Sequence, residues 1–177
     1  SRWVITTVTP TGRSVAQQLI RGAQDQLLYL PWDFGGVVRR AIRWIRPGLF
    51  LVFETELWPT LFYHLHRQGV PILMVNGRIS PKAYPRYLWA RPFMEWILRR
   101  VSFFFIQSPQ DARRYAAIGA AKDRIWVTGN LKWDVVLQTG NLSQGAAFRT
   151  QLGISPEVIL WTAGSTHRGE ERIIMES

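Results

Sequence analysis

One rhythm governs this chain. A short apolar run rich in β-branched and aromatic residues gives way to a turn and then to a stretch with helical spacing. The runs are Trp3–Val8, Leu27–Leu30, Leu49–Phe53, Pro71–Val75, Phe103–Ile106 and Ile125–Val127. Strands this apolar need cover on both faces, and intervening helices supply it, so the pattern predicts an α/β fold built on a parallel sheet. Helices are expected from Pro10 to about Arg21, from an Asp33 cap to Arg46, and from about Leu57 to Gly69 with Pro59 in the first turn. Another is expected from a Ser108 cap to Ile118. Ser80 to Arg100 reads as mostly helical, interrupted by Pro81, Pro85 and Pro92. In the helix ending at Arg46, Val38, Ala41, Ile42 and Ile45 form an apolar stripe, with Arg39, Arg43 and Arg46 on the opposite face.

After Gly129-Asn130 the rhythm loosens. Residues 1–138 are read as most of a first domain and the polar stretch 139–157 as a connection. Residues 158–177 are read as the start of a second domain, opened by an apolar strand at Val158–Ala163. The expectation is a fragment of a longer protein. Its 177 residues and 47% hydrophobic content exclude intrinsic disorder and allow a sizeable core. The absence of cysteine excludes disulfides, thiol nucleophiles and thiolate zinc sites. No apolar stretch approaches the ~18–20 residues of a membrane span.

Charge narrows the partners. The 22 Lys+Arg against 12 Asp+Glu give +10, and residues 34–100 concentrate 11 basic against 3 acidic side chains. Such a field suits nucleic acid, an anionic lipid surface or a phosphorylated substrate, and equally a solvated face. Between Arg78 and Arg100, basic residues alternate with Tyr84, Tyr87, Trp89, Phe93 and Trp96. That mixture suits single-stranded nucleic acid or a bilayer interface, and part of it reads as core.

Three segments carry candidate chemistry. Glu54-Thr55-Glu56 follows the third apolar run, and ligands of open α/β sheets bind beyond the carboxyl ends of strands. Lys132, one of only three lysines, follows the sixth run in Gly129-Asn130-Leu131-Lys132, where a compact ammonium can meet developing negative charge. Gly164-Ser165-Thr166-His167 opens a helix whose free N–H groups suit an anion, although no Walker pattern is present. The Thr9-Pro10-Thr11-Gly12 turn has the same geometry. His64 and His66 stand two apart on a helix, on different faces, and read as structural rather than as a metal pair.

Taken together, Thr6-Thr7-Val8-Thr9-Pro10-Thr11-Gly12, Tyr29-Leu30-Pro31-Trp32-Asp33, Glu54 to Pro59, Asn76-Gly77-Arg78-Ile79-Ser80, Gly129 to Lys132 and Ser165 to Glu171 resemble, in order, the 3-deoxy-D-manno-octulosonic acid (Kdo) transferase family. The resemblance implies a GT-B glycosyltransferase of two Rossmann-like domains, inverting, with neither metal nor cofactor. The donor would be CMP-Kdo and the acceptor a lipid A precursor, at the cytoplasmic face of the bacterial inner membrane. That setting implies an anionic membrane surface as a partner and no nucleic acid. It also implies Glu54 and Lys132 as transition-state stabilisers, with Thr11, Gly12, Arg78, Ser80, Ser165, Thr166 and His167 touching substrate.

The family's general base, a glutamate, is expected upstream of the first strand seen here, together with a membrane anchor. Thr60 stands where the family pattern leads one to expect asparagine, and Ala83 where serine is common. Two alternatives are a GT-B enzyme with another nucleotide-sugar donor and a basic nucleic-acid-binding module.

Overall fold

The computed structural model describes residues 2–20, 22–133, 142–155, 157–159, 161 and 164–175. They fall into two compact units, Ser1–Leu131 and Lys132–Ser177. In the first, strands and helices alternate as β1 (Val4–Thr7), α1 (Pro10–Leu19), β2 (Gln26–Tyr29), α2 (Gly35–Ile45), β3 (Phe50–Phe53) and α3 (Pro59–Arg67). Then follow β4 (Ile72–Gly77), α4 (Tyr84–Trp89), α5 (Arg91–Leu98), β5 (Phe103–Ile106), α6 (Pro109–Ala117) and β6 (Ile125–Val127). All six predicted strands form, and every pairing is parallel. β1 pairs with β2, while β3-β4-β5-β6 make a second sheet in that order.

The central strands of the larger sheet are buried by their own composition. Ile72, Met74, Phe104 and Ile106 are fully enclosed, and Phe62 and Leu65 of α3, Ile97 and Leu98 of α5 and Tyr115 of α6 join the same core. On α2, Val38 and Ile42 are buried and Arg39, Arg43 and Arg46 exposed, the amphipathic split its spacing predicts. Ser108 caps α6, as expected, by accepting from the Asp111 N–H at 3.1 Å.

Two local expectations are corrected. Asp33 does not cap α2, whose N-cap is Phe34 with no side-chain bond. Its carboxylate instead accepts from the N–H groups of Thr60 (3.0 Å) and Leu61 (2.8 Å), crossing the fold to cap α3. The first turn of α3 has no such acceptor of its own, because Trp58 stands at its N-cap, and its orphan donors attract a carboxylate wherever the chain brings one. Asp33→Ala is therefore expected to destabilise by about 2 kcal/mol. Urea unfolding would measure it, and a loss below about 0.5 kcal/mol would contradict the cap. The prolines of the 80–100 segment also act differently. Pro85 and Pro92 sit in the first turns of α4 and α5, where a missing N–H costs nothing, so they start helices rather than interrupt one.

In the second unit, α7 (Leu142–Gln151) and α8 (Glu170–Met175) are helical. The helix α7 occupies part of the stretch read as a connection; residues 134–141 lie outside the described residues. Of the strand expected at 158–163, Val158, Ile159 and Trp161 are described and carry no strand geometry, and the other three residues lie outside the described set.

Candidate active site

Because all strands of the larger sheet run parallel, the loops after β3, β4, β5 and β6 leave from one edge. These are the loops that hold Glu54, Arg78, Ser80, Gln107 and Asn130. The loop after β1 leaves from the same end of its own parallel pair and enters α1 at Thr9, whose hydroxyl caps the helix by accepting from Gly12 N–H at 3.0 Å. Thr11 and Gly12 thus lie in the first turn of α1, as the Pro-Thr-Gly turn implied.

Glu54 is held in an unusual backbone. Its N–H still completes the β3–β4 ladder by donating to Val75 O at 2.8 Å, but its φ is +60°, the left-handed region that a side chain with a Cβ adopts at a cost. Glu54 is half-buried, whereas Glu56 is exposed. Residues i and i+2 at this strand end therefore meet different surroundings. Between them, Thr55 Oγ1 bonds to Arg78 O and accepts from the buried Tyr115 hydroxyl at 3.2 Å. Burial pushes the Tyr115 phenol well above its ordinary pKa, against the opposing effect of the Thr55 bond, so it serves as a fixed neutral donor. This joins the loop after β3 to the loop after β4.

Asn76 does the same for three loops. It is 6% exposed, adopts φ +58°, and its Oδ1 accepts from Leu131 N–H at 3.2 Å. Its own carbonyl accepts from Gln107 Nε2 at 2.9 Å. One buried asparagine at the end of β4 thereby fixes the loops after β5 and β6. The side-chain and main-chain oxygens of this buried residue thus each have a donor, as burial requires.

The loop carrying Arg78 and Ser80 is gripped by α6. Ile79 N–H donates to Asp111 Oδ1 at 2.9 Å, and Arg114 Nη1 donates to Ile79 O at 2.6 Å. Asp111 also accepts from the Ser108 hydroxyl at 2.5 Å and pairs with Arg114 at 3.5 Å. With both backbone groups of Ile79 bound and its side chain buried, Arg78 and Ser80 are left exposed on either side. Ser80 Oγ in turn accepts from Ala83 N–H at 3.1 Å.

Lys132, exposed, directly follows Leu131 and belongs to the second unit. In that unit the Ser165–His167 segment precedes α8, with Ser165 at φ +58°. Two of the N–H groups there are already used: His167 donates to Glu170 Oε2 at 2.8 Å and Gly169 to Glu171 Oε2 at 3.2 Å. A bond from the Thr166 side chain holds the Glu171 carboxyl below its usual range. A phosphate bound by the His167 and Gly169 N–H groups has to displace these carboxylates.

Elsewhere, desolvation and then Arg39 and Arg67 lower the His64 pKa against the smaller opposing pull of Asp33, while His66 is exposed. Among the described residues no cluster of three His, Asp or Glu side chains is placed to hold a metal. Of the five aromatics between Arg78 and Arg100, Tyr84 and Tyr87 pack on the core. Trp89, 90% exposed, Phe93 and Trp96 face solvent, with Arg100 stacked 3.8 Å above Trp96. No described helix is long and apolar enough to cross a membrane.

Reading the sequence singled out Glu54, Thr11, Gly12, Arg78 and Ser80; in the first unit Glu54, Arg78 and Ser80 lie in strand-end loops, and Thr11 and Gly12 in the first turn of α1. It missed Thr55, Asn76, Gln107, Asp111, Arg114 and Tyr115, which set those loops. Thr55 and Asn76 lay inside singled-out segments without being given a role, and Asp111 left a local signal, three residues after the Ser108 cap where a capping-box acid stands.

Comparison with known proteins bears on the same residues. A family model described as 3-deoxy-D-manno-octulosonic-acid transferase (kdotransferase) matches residues 1–135. The chain is 32% identical to the 3-deoxy-D-manno-octulosonic acid transferase of Haemophilus influenzae over 97% of this chain and 40% of that protein. Against the protein of the same name from Bordetella pertussis it is 32% identical, over 98% of this chain and 40% of that protein. It is also 32% identical to a bifunctional glycosyltransferase/methyltransferase of Fusobacterium nucleatum, over 85% of this chain and 23% of that one. The chain thus spans about two fifths of the length of the two transferases.

Proposed function

The chain belongs to the 3-deoxy-D-manno-octulosonic-acid transferase family, and from that premise we propose that it forms the acceptor side of a GT-B glycosyltransferase. The enzyme moves Kdo from CMP-Kdo to a lipid A precursor during lipopolysaccharide assembly. The observation that carries this reading is the coincidence of the family match, residues 1–135, with the unit whose strand-end loops hold Glu54, Arg78 and Ser80.

The transfer inverts the sugar. An acceptor hydroxyl attacks the anomeric carbon as CMP departs, its proton goes to a carboxylate base supplied from outside these residues, and no metal or cofactor takes part. Lys132 offsets negative charge developing on the leaving phosphate. Glu54 acts at the carboxyl end of β3 by holding a cationic group in register, and its constrained backbone fits a fixed electrostatic role. Thr11, Gly12, Arg78 and Ser80 meet the acceptor, while Ser165, Thr166 and His167 meet the donor. The exposed Trp89, Phe93 and Trp96, with Arg86 and Arg91 exposed among them, suit the anionic cytoplasmic face of the inner membrane, where the acceptor resides.

The test uses the full-length gene expressed in membranes with lipid A precursor. CMP-Kdo is generated in place and the lipid followed by mass. A Kdo-sized gain is expected, falling about 100-fold in rate with Lys132→Ala, the scale of losing one preorganised charge contact. No gain from folded full-length protein would overturn the reaction; a gain indifferent to Lys132 would remove that residue from it.

A further inference from the structure

Among the described residues, and the Tyr115 phenol apart, Asn76 is the one buried side chain that is polar or charged. Three requirements meet at this position. Its φ of +58° lies in the left-handed region, which asparagine enters more readily than most residues other than glycine. Its carbonyl accepts from Gln107 Nε2, so the loop after β5 holds its main chain. Its Oδ1 accepts from Leu131 N–H at 3.2 Å. Glycine would meet the first two requirements and an apolar side chain only the second. The third alone calls for a side-chain oxygen in an otherwise apolar interior, where a polar group without a partner is costly.

The bond to Leu131 is a helix cap. Residues 131–133 are helical, so the Leu131 N–H is one of the first-turn donors that no helical carbonyl reaches. The usual acceptor for such a donor is the side chain just outside the helix. Here it comes from the end of β4, 55 residues back, across the strand β5 that separates β4 from β6. The other end of the same loop is tied as well, by Thr128 N–H donating to Ile106 O at 2.9 Å. Only Gly129 and Asn130 stand between the two ties, so the chain reaches Leu131 on a fixed course. The next residue is Lys132.

Resting on the reading of Lys132 as the cation that meets the leaving phosphate, we propose that Asn76 is a positioning residue for it. By capping the helix at Leu131, Asn76 sets the start of the turn that carries the ammonium. At 6% exposure it offers a substrate little surface and acts through the main chain it holds. Leu131 is itself exposed, so water can take the place of the lost acceptor. Removing the cap therefore costs geometry at Lys132 more than stability.

The test is a double-mutant cycle in the full-length enzyme, read as kcat. Asn76→Gly keeps the left-handed backbone and the carbonyl that Gln107 holds, and removes the side-chain acceptor. It is expected to lower kcat about 10-fold, part of the roughly 100-fold that a misplacement of about 1 Å can cost, with the acceptor KM within about twofold of native. Introduced into Lys132→Ala, it is expected to cost nothing further. Asn76→Asp keeps an oxygen that a helix N-terminus favours and is expected to recover most of the loss. Equal losses in both backgrounds would show that Asn76 acts elsewhere and overturn the proposal. An unchanged kcat in Asn76→Gly, or an aspartate variant as slow as the glycine one, would overturn it too. If Lys132→Ala alone transfers at the native rate, the role of Lys132 has failed and the positioning falls with it, an outcome that no Asn76 variant imitates. Amide exchange checks the cap without any variant. In the native full-length protein the Leu131 N–H is expected to exchange at least about 10-fold slower than in an unstructured peptide, and exchange at the peptide rate would overturn the proposal.

Discussion

Full-length enzyme carrying Glu54→Ala is expected to lose transfer by 100-fold or more, and Glu54→Gly to lose it equally while folding more stably than the alanine variant. Both substitutions remove the carboxylate, so the electrostatic loss is common to them. They differ in the backbone. At φ +60° a Cβ crowds the following carbonyl at a cost of roughly 1–2 kcal/mol, which glycine avoids. Glycine's greater freedom in the unfolded chain returns roughly 0.5–1 kcal/mol of that. A net advantage near 1 kcal/mol should separate the two variants in urea unfolding. If they unfold alike, the conformation at residue 54 carries no strain. If Glu54→Ala transfers at the native rate, the carboxylate has no part in the reaction.

Gly119→Ala is the substitution expected to damage the fold most, by about 2–5 kcal/mol. Gly119 ends the α6 region at φ +109°, and a Cβ built there would lie 2.5 Å from Glu95 Cβ and 2.9 Å from Glu95 Cα of α5. The second contact is with backbone, so no rotamer change relieves it. The left-handed conformation costs roughly 1–2 kcal/mol and forced separation of the two helices roughly 1–3 more. Gly129→Ala provides the internal comparison: its φ is +85° with nothing within 4 Å, so only the backbone cost of roughly 1–2 kcal/mol applies. Equal losses at the two positions would show that the α5–α6 approach is looser than described.

The sequence made the strands legible because their signal is local. A run such as Phe103–Ile106 states its own preference, and β5 forms there. The Ser108 cap was legible for the same reason. Asp33 shows where local reading stops: a carboxylate two residues before a helix resembles a cap, but its partners are 27 and 28 residues away, and nothing in the spacing marks them. The site divides the same way. Glu54 and Arg78 announce themselves by standing after apolar runs, whereas the bond from Tyr115 to Thr55, 60 residues away, exists only once α6, packed on β5 and β6, has been brought within reach of the loop after β3. Prolines misled for a related reason: Pro85 and Pro92 look like breaks until the helix starts are known.

The grip of α6 on Ile79 has a consequence for how such a domain diversifies. Asp111 and Arg114 hold main-chain atoms, and main-chain atoms are the same whatever residue is written there. Position 78, whose side chain is exposed beside this anchor, can therefore be rewritten by mutation while the loop keeps its path, so a lineage can try new surface contacts there without first relearning how to fold.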